Sequence, residues 1–355
     1  MRIVLLIDSI GPGGAQRQMV GLAGMLRERG CQVKLIYYHP SSFYKTYLDE
    51  HHVPYECVAS TRSKLKRLIL IGYAFRRYSP DVVITFLDKP NMMACILKAM
   101  GMRFRLIVGE RNTTQSLSKS EKLKFFFMRK ADAIVPNSYS QERFIKSHFP
   151  HQARKVHTII NFVDLCTYRP VPNKKRSRVI VVAASVWQPK NTLGLIEAAK
   201  IIKEHSHTFT IWWYGIYAKT PYVEKCQEKI AEYGLGSFFQ LLPKTASIAQ
   251  VLQDADYFCL PSFYEGTPNA LCEALACGLP VVCSRVCDNG IYVEEGANGF
   301  LFDPRNPPEM ANKIEKILSL SDKDYQSYSS ACRKMAETYF SETRFIEEYL
   351  SLLEK

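Results

Sequence analysis

The sequence contains no uninterrupted apolar run close to the roughly 20 residues that a membrane-spanning helix needs. The apolar stretch at Met1–Ile10 is broken at once by Gly11 and is too short for a secretory signal. We therefore expect a cytoplasmic protein. With 355 residues, of which 47% are hydrophobic, the chain is long and apolar enough for two globular domains.

Cysteines are present but form no C-x-x-C pair, and their number, 11, is odd. This argues against a disulfide framework and against a zinc site, and predicts reduced, buried thiols. Asp254-Ala255-Asp256 has the spacing of an Asp-x-Asp metal motif. It lies at the end of a predicted helix, directly before a predicted strand, so we interpret it as structural. We expect no metal site.

Acidic residues are scarce in the first half of the chain. Residues 1–165 contain 26 Lys and Arg against 12 Asp and Glu, whereas residues 166–355 contain 21 against 22. This excess predicts contact with an anionic surface, either nucleic acid or a membrane leaflet. Two segments, 62–67 and 119–130, mix cations with large apolar residues. The second forms either a helix in the membrane interface or one that turns Phe125, Phe126 and Phe127 into the core; both alternatives stay open.

Apolar strands alternate with helical segments throughout, which predicts an α/β protein with parallel sheets covered on both faces. The predicted strands are Arg2–Asp8, Gln32–His39, Pro54–Val58, Val82–Leu87, Arg105–Gly109, Ala133–Asn137, Val156–Ile160, Arg178–Ala184, Phe209–Tyr214, Phe238–Leu242, Tyr257–Pro261, Pro280–Cys283 and Gly299–Phe302. A polar, proline-bearing stretch at 168–177 predicts the boundary between two Rossmann-like domains, 1–168 and 169–340. Ligands in such folds bind beyond the carboxyl ends of the strands.

The segment Glu265–Glu273 carries the clearest chemical signal. It follows an apolar strand and opens a helix, for which Thr267 is the predicted N-cap and Pro268 the first residue. The amides of such a first turn bind anions. With a carboxylate on either side of the loop, the expected ligand is an anion that carries hydroxyl groups, and a sugar nucleotide has this layout. Lys190, shortly after the strand Arg178–Ala184, adds a cation.

Glycines 11, 13 and 14 join the first strand to the first helix. A dinucleotide fingerprint would need G-x-G-x-x-G, but Gln16 occupies its last position and no acidic residue ends the second strand. An oxidoreductase is therefore a weak interpretation. Gly13 and Gly14 remain candidates for close approach to a ligand, with a purely structural turn as the alternative.

The segment Glu265–Glu273 and the pair Lys190-Asn191 resemble the donor site of the family-4 retaining glycosyltransferases of GT-B fold. Residues 260–262, 274–282 and 296–301 extend the resemblance, which runs through nearly the whole chain. It implies two Rossmann-like domains that face each other across a cleft. It also implies that a C-terminal helix, 341–355, crosses back to the first domain. The family members that this chain resembles build bacterial surface polysaccharides on lipid carriers.

The resemblance also implies roles for individual residues. Glu265 and Lys190 would be the catalytic residues, the first on the hydroxyls of the donor sugar and the second on the diphosphate. Glu273 would hold the ribose hydroxyls. The remaining implied donor-binding residues are Gly13, Gly14, Arg111, Gly266, Thr267, Pro268 and Asn269. The family needs no metal and no cofactor, since the nucleotide sugar, UDP-linked by expectation, is itself the substrate.

One position departs from the family. Many members carry an arginine five residues before the lysine, whereas this chain has Ser185; Arg111 and Arg285 are conceivable substitutes. For Arg111, an ordinary surface ion pair within Gly109–Thr113 is an alternative.

The expected function is retaining transfer of a sugar to a polysaccharide or lipid-linked saccharide acceptor. The first domain would touch an anionic membrane peripherally. A sugar-nucleotide epimerase of the same fold is one alternative. A nucleic-acid-binding protein is another, but the chain lacks a recognition-helix motif and an aromatic RNA platform.

Overall fold

The computed structural model describes residues 1–58, 61, 63–172, 174–205 and 207–354. Arg62, in the first basic segment, therefore lies outside the described residues. The chain divides into two compact units. The first comprises Met1–Asn161 together with Thr343–Lys355, and the second comprises Phe162–Glu342.

The first unit is built on a parallel six-stranded sheet with the order β3-β2-β1-β4-β5-β6. Its strands are β1 (Arg2–Leu6), β2 (Gln32–Tyr37), β3 (Tyr55–Cys57), β4 (Val82–Phe86), β5 (Arg105–Glu110) and β6 (Ala133–Pro136). The helices that connect them are α1 (Gly14–Glu28), α2 (Lys45–Glu50), α3 (Lys64–Tyr78), α4 (Asp88–Ala99), α5 (Lys119–Met128) and α6 (Tyr139–His148). A 3₁₀ helix, Pro150–Lys155, follows α6.

The second unit repeats the scheme with a parallel sheet of order β12-β11-β10-β7-β8-β9. Its strands are β7 (Val179–Ala183), β8 (Thr210–Ile216), β9 (Phe239–Pro243), β10 (Tyr257–Leu260), β11 (Val281–Ser284) and β12 (Gly299–Phe302). Its helices are α7 (Thr192–Glu204), α8 (Pro221–Glu232), α9 (Ile248–Asp254), α10 (Asn269–Ala276), α11 (Asn289–Tyr292), α12 (Pro307–Leu318) and α13 (Asp322–Tyr339).

Buried strands explain the architecture of both units. All residues of β4, β10 and β11 are buried, because helices cover both faces of each sheet. In the first unit, α3, α4 and α5 pack on one face of the sheet and share a core with its strands. The corresponding core of the second unit includes Trp213, the largest fully buried side chain.

The last helix, α14 (Glu342–Glu354), belongs to the first unit, as predicted. Phe345, Tyr349, Leu352 and Leu353 are buried along one side of it. Among the described residues, no helix combines the length and the apolar character needed to cross a bilayer.

Twelve of the predicted strands are confirmed to within two residues at either end. The prediction of a strand at Val156–Ile160 is wrong, because only a single bridge joins Val156 to Ile134. His157 and Ile159 donate backbone hydrogen bonds to Ile134 and Pro136. Pro136 has no N–H group to return a bond, so the pairing stays one-sided.

Candidate functional site

Two loops at the carboxyl edge of the second sheet bring Lys190 and Glu265 together. β7 and β10 are parallel neighbours, so the loops that follow them emerge at the same edge. Lys190 ends a short 3₁₀ helix, Gln188–Lys190, and its Nζ lies 2.7 Å from Oε1 of Glu265. Glu265 is only 8% exposed. The two residues predicted to be catalytic therefore form a largely buried ion pair.

Neighbouring polar groups fix the carboxylate of Glu265. The hydroxyl of Ser262, which is fully buried, donates a hydrogen bond of 2.6 Å to Oε1 of Glu265. The backbone N–H of Glu265 donates to Sγ of Cys287 at 3.5 Å. Oε1 of Glu265 therefore accepts hydrogen bonds from both a lysine and a hydroxyl, and a carboxylate has further lone pairs that can accept from sugar hydroxyls.

Asn191 ties the loop that carries Lys190 to its neighbours. Its backbone is left-handed, with φ 58° and ψ 41°, a conformation that asparagine tolerates better than most residues. Its Nδ2 donates to the carbonyl oxygens of Pro261 at 3.1 Å and Pro304 at 2.8 Å. The side chain is buried, so these bonds are shielded from water. Asn191 therefore positions the lysine that precedes it.

The helix after Glu265 begins one residue later than predicted. α10 starts at Asn269 and its N-cap is Pro268, which has an extended backbone at φ −76° and ψ 105°. The carbonyl of Pro268 accepts the first helical bonds, from the amides of Leu271 at 3.0 Å and Cys272 at 3.2 Å. The prediction of Thr267 as the N-cap is thus wrong, because the carbonyl that opens the helix belongs to Pro268. The positive end of the helix dipole still adjoins this loop.

The other predicted donor-site residues of this unit lie in the same continuous segment. Gly266 is partly exposed, whereas Thr267 is buried in the loop and Asn269 is half-buried at the helix start. Glu273 lies one turn further along α10 and is 4% exposed. The segment thus presents a carboxylate before the helix start and another beyond its first turn, as the spacing predicted.

Gly13 and Gly14 lie at the start of α1, after β1 in the first unit. Gly13 is the N-cap, and a Cβ atom on it would lie 2.2 Å from Oε1 of Gln16. Gln16 in turn donates from Nε2 to Oδ1 of Asp8 at 2.9 Å. This contact involves the far end of a flexible side chain, and the two alternatives for Gly13 and Gly14 stay predictions.

Arg111 follows β5 and is engaged within the first unit. Its Nη1 donates to Oδ1 of Asn161 at 3.1 Å and its Nη2 to the hydroxyl of Tyr349 on α14 at 2.6 Å. The guanidinium also stacks 3.7 Å from the ring centre of Phe86. Burial lowers the pKa of Arg111, while Tyr349 acts in the opposite direction. A role of Arg111 in donor binding stays a prediction.

A buried charged cluster beside Arg111 was missed by sequence reasoning. Glu110, the last residue of β5, is fully buried, and its Oε2 lies 3.1 Å from Nζ of Lys124. The same ammonium group lies 2.6 Å from Glu121 and 3.6 Å from Asp88. Burial raises the pKa of Glu110 to about 7, although Lys124 acts to lower it. The surface ion pair that was the alternative for Gly109–Thr113 is thus a buried pair between Glu110 and Lys124 of α5.

Both halves of the chain match known families. Residues 12–166 match the family described as Glycosyltransferase Family 4, and residues 167–335 match that described as Glycosyl transferases group 1. Together the two matches span residues 12–335, and the chain belongs to the glycosyltransferases. These matches do not favour the epimerase alternative.

Relatives and solved structures agree with this assignment. This glycosyltransferase is 23% identical, over 99% of its chain and 98% of the relative's, to a Campylobacter jejuni protein. That protein is named GalNAc-alpha-(1->4)-GalNAc-alpha-(1->3)-diNAcBac-PP-undecaprenol alpha-1,4-N-acetyl-D-galactosaminyltransferase. The present chain is also 27% identical, over 56% of its length, to the UDP-Gal:alpha-D-GlcNAc-diphosphoundecaprenol alpha-1,3-galactosyltransferase of Escherichia coli. That match spans only 54% of the E. coli protein. A match of 28% identity to Spore coat protein SA of Bacillus subtilis spans 62% of that protein.

The fold is GT-B. A crystal structure of Anabaena Alr3699/HepE in complex with UDP superposes with a TM-score of 0.85 at 21% identity, covering 100% of both chains. The two parallel six-stranded sheets of this glycosyltransferase are those expected from the resemblance.

The position of the missing family arginine is occupied by an exposed serine, Ser185. Of the two suggested substitutes, Arg285 is paired with Glu295 at 3.3 Å and is 56% exposed. Arg305, which sequence reasoning missed, directly follows Pro304, the residue that Asn191 binds, and lies 5.9 Å from the ring centre of Phe263. The guanidinium of Arg305 therefore lies near Phe263, a residue of the loop that carries Glu265.

The Asp254-Ala255-Asp256 motif is structural, as predicted. Oδ2 of the fully buried Asp256 accepts from the backbone amides of Ser177 at 2.7 Å and Val179 at 3.0 Å. Within the described part of the chain, no group of three His, Cys, Asp or Glu side chains has the geometry to hold a metal ion.

Proposed function

We propose that this glycosyltransferase moves a sugar, with retention of anomeric configuration and without a metal, from a UDP-linked donor to a saccharide acceptor. The observation that carries the proposal is the Lys190–Glu265 pair, held at 2.7 Å beside the start of α10. A nucleotide sugar offers a group to each member of this pair: its diphosphate to Lys190 and the hydroxyls of its sugar to Glu265.

Breaking the bond from the anomeric carbon to the diphosphate leaves negative charge on the leaving group. Lys190 and the positive end of α10 stabilise that charge in the place of a metal ion. Glu265 accepts hydrogen bonds from hydroxyls of the sugar, and Glu273 from those of the ribose. Gly266, Thr267, Pro268 and Asn269 shape the loop around the diphosphate.

No protein base is assigned in this reaction. As the family resemblance implies, the departing phosphate takes the proton of the acceptor hydroxyl while the new bond forms on the same face of the sugar. Attack on the face from which the phosphate departs gives retention without a covalent intermediate, and proton transfer to that phosphate explains why no protein base is needed.

The acceptor proposed is a saccharide carried on a lipid diphosphate. Support comes from the E. coli and C. jejuni relatives, whose names specify undecaprenol-linked acceptors. We extend this to a peripheral position of the first unit on the inner face of the cytoplasmic membrane, since that half of the chain carries the whole excess of positive charge. No nucleic acid is part of the proposal.

A panel of nucleotide sugars tests the donor. The enzyme should be stabilised against heat by UDP and by one or a few UDP-sugars, and should hydrolyse the preferred one slowly without acceptor. Lys190→Ala and Glu265→Ala should abolish transfer while the circular dichroism spectrum stays unchanged. Near-full transfer by both variants would refute the assigned roles, and conversion of the sugar to its epimer would indicate an isomerase.

A further inference from the structure

Large exposed apolar side chains are concentrated on one part of the first unit. Among the described residues eleven large hydrophobic side chains are exposed, and six of them lie on α3, α4 or α5 or at the helix end. These six are Leu65, Ile69, Tyr73, Met100, Leu123 and Phe126. Their exposed fractions run from 53 to 72%. Concentrated apolar exposure of this kind marks an interaction surface.

The three helices form one layer on one face of the sheet. Ile71 and Phe75 of α3, Leu97 of α4 and Phe125 of α5 point into a single core with the strands. The opposite sides of the same helices therefore form one continuous outer surface, which we call the basic face.

The exposed residues follow the helical repeat. Leu65, Ile69 and Tyr73 are spaced four residues apart and make a stripe along α3, opposite the buried Ile71 and Phe75. On α5, Leu123 and Phe126 are three apart, while Phe125 between them is buried. The exposed stripes thus lie on the outer side of helices whose inner side packs in the core.

The charge of the basic face is almost entirely positive. Outside the core, four Lys and Arg lie on α3, two on α4 and two on α5, whereas Arg67 and Lys124 are buried. The only acidic residues on the three helices are Asp88 and Glu121. Both of these carboxylates are paired with the buried Lys124. An apolar stripe flanked by cations is complementary to the headgroup region of an anionic bilayer.

We propose that the basic face lies on an anionic membrane surface, with the stripes on α3 and α5 inserted at the level of the lipid headgroups. The inference deepens the membrane contact proposed above and rests on it, but it does not depend on the chemistry of Lys190 and Glu265. The experiment below separates the two.

Flotation with lipid vesicles tests the apolar stripe. The full chain should bind vesicles of phosphatidylcholine mixed with phosphatidylglycerol far more tightly than vesicles of phosphatidylcholine alone. Leu65→Gln, Ile69→Gln and Tyr73→Gln should each weaken that binding about tenfold, because each removes an apolar side chain that would be buried among the lipid headgroups on binding. Tyr217→Gln in the second unit is the matched control, since Tyr217 is 69% exposed and Tyr73 is 66% exposed.

The charges are tested separately. Lys64→Gln and Lys66→Gln should each weaken binding to the anionic vesicles about fivefold, and added salt should do the same. Equal affinity of the wild type for neutral and anionic vesicles would overturn the proposal. So would a wild type that binds no vesicles but forms dimers that Tyr73→Gln dissociates, since the face would then hold a second copy.

Donor hydrolysis in the absence of vesicles distinguishes the two proposals. The variants at Leu65 and Tyr73 should hydrolyse the UDP-sugar at the wild-type rate, whereas Lys190→Ala should lose hydrolysis and still float with anionic vesicles. Flotation as expected, with no UDP-sugar used by the wild type, would contradict the proposed donor and leave the lipid surface supported. The reverse result would contradict the lipid surface alone.

Discussion

Replacing Glu265 with glutamine should tighten the binding of free UDP while abolishing sugar transfer. Lys190 lies 2.7 Å from the Glu265 carboxylate, so a diphosphate that binds Lys190 has to compete with that carboxylate for the ammonium group. UDP lacks the donor sugar, so it offers Glu265 no hydroxyl groups in exchange for Lys190. Glutamine removes both the competing charge and its repulsion of the diphosphate, yet keeps the size of the side chain.

The magnitude follows from the environment of the pair. Two unit charges 4 Å apart attract by about 4 kcal/mol at an effective dielectric of about 20, before desolvation is deducted. The side chains of Lys190 and Glu265 are 23% and 9% exposed, so solvent screens the pair in part. A net release of about 1.4 kcal/mol is reasonable, which corresponds to UDP binding about tenfold more tightly.

Isothermal titration with UDP measures this effect, and three variants frame it. Lys190→Ala should weaken UDP binding, because the diphosphate loses its cation. Glu273→Gln should also weaken it, since UDP keeps the ribose that Glu273 is proposed to hold. Glu232→Gln, which removes an exposed partner of Lys229, should leave the affinity unchanged. If Glu265→Gln weakened UDP binding as Lys190→Ala does, the proposed competition would be refuted.

Three further outcomes are expected from contacts elsewhere in the chain. Because burial raises the pKa of Glu110 to about 7, its protonated form favours the fold. This contribution is complete below the unfolded pKa near 4.5 and declines by about 3 kcal/mol as the pH rises to 7. Urea unfolding of Glu110→Gln should lack this decline; an equal slope in wild type and variant would show that Lys124 keeps Glu110 ionised. Asn191→Ala should lower the free energy of unfolding by about 2–4 kcal/mol, because two buried carbonyl groups lose their donor, and should reduce kcat. An unchanged kcat would show that Asn191 does not position the catalytic lysine. Tyr349→Phe should cost about 1.5–3 kcal/mol, the range for hydrogen bonds to charged groups such as Arg111; an unchanged Tm would show that this bond does not anchor α14.

Most of the fold could be predicted because most of its strands are apolar along much of their length. A strand such as β4, with all residues buried, leaves little choice between sheet and surface segment. Val156–Ile160 is also rich in β-branched residues, but its pairing depends on the donors of the neighbouring strand. The missing N–H group of Pro136 is a property of that neighbour, and no pattern within Val156–Ile160 could have revealed it.

The residues of the site could be predicted from the sequence, but the ion pair between Lys190 and Glu265 could not. Lys190 and Glu265 were recognised from their own local motifs, which lie 75 positions apart. The ion pair between them depends on the parallel pairing of β7 with β10, which places the two loops side by side. The same holds for Glu110, whose partner Lys124 is supplied by α5.

Three consecutive phenylalanines on a helix cover most of its circumference, so their sequence could not say which side faces the core. The structure separates them: Phe125 is fully buried and Phe126 is 58% exposed. The burial of Phe125 fits the alternative in which the phenylalanines turn into the core. The exposure of Phe126 fits the alternative in which the helix has an apolar outer side. Whether the exposed side meets lipid is the subject of the flotation experiment.

The ion pair between Lys190 and Glu265 bears on the release of UDP at the end of the catalytic cycle. A complete donor provides a new partner for both members of the ion pair. Its diphosphate replaces Glu265 at Lys190, and its sugar hydroxyls replace Lys190 at Glu265. Once the sugar has left, the nearly buried carboxylate keeps its hydrogen bond from Ser262 but has no counter-charge as long as UDP holds the lysine. An unpaired buried charge is costly, so re-formation of the Lys190–Glu265 pair favours the release of UDP. We therefore expect the enzyme to bind its full donor more tightly than its nucleotide product, and Glu265→Gln to remove that preference.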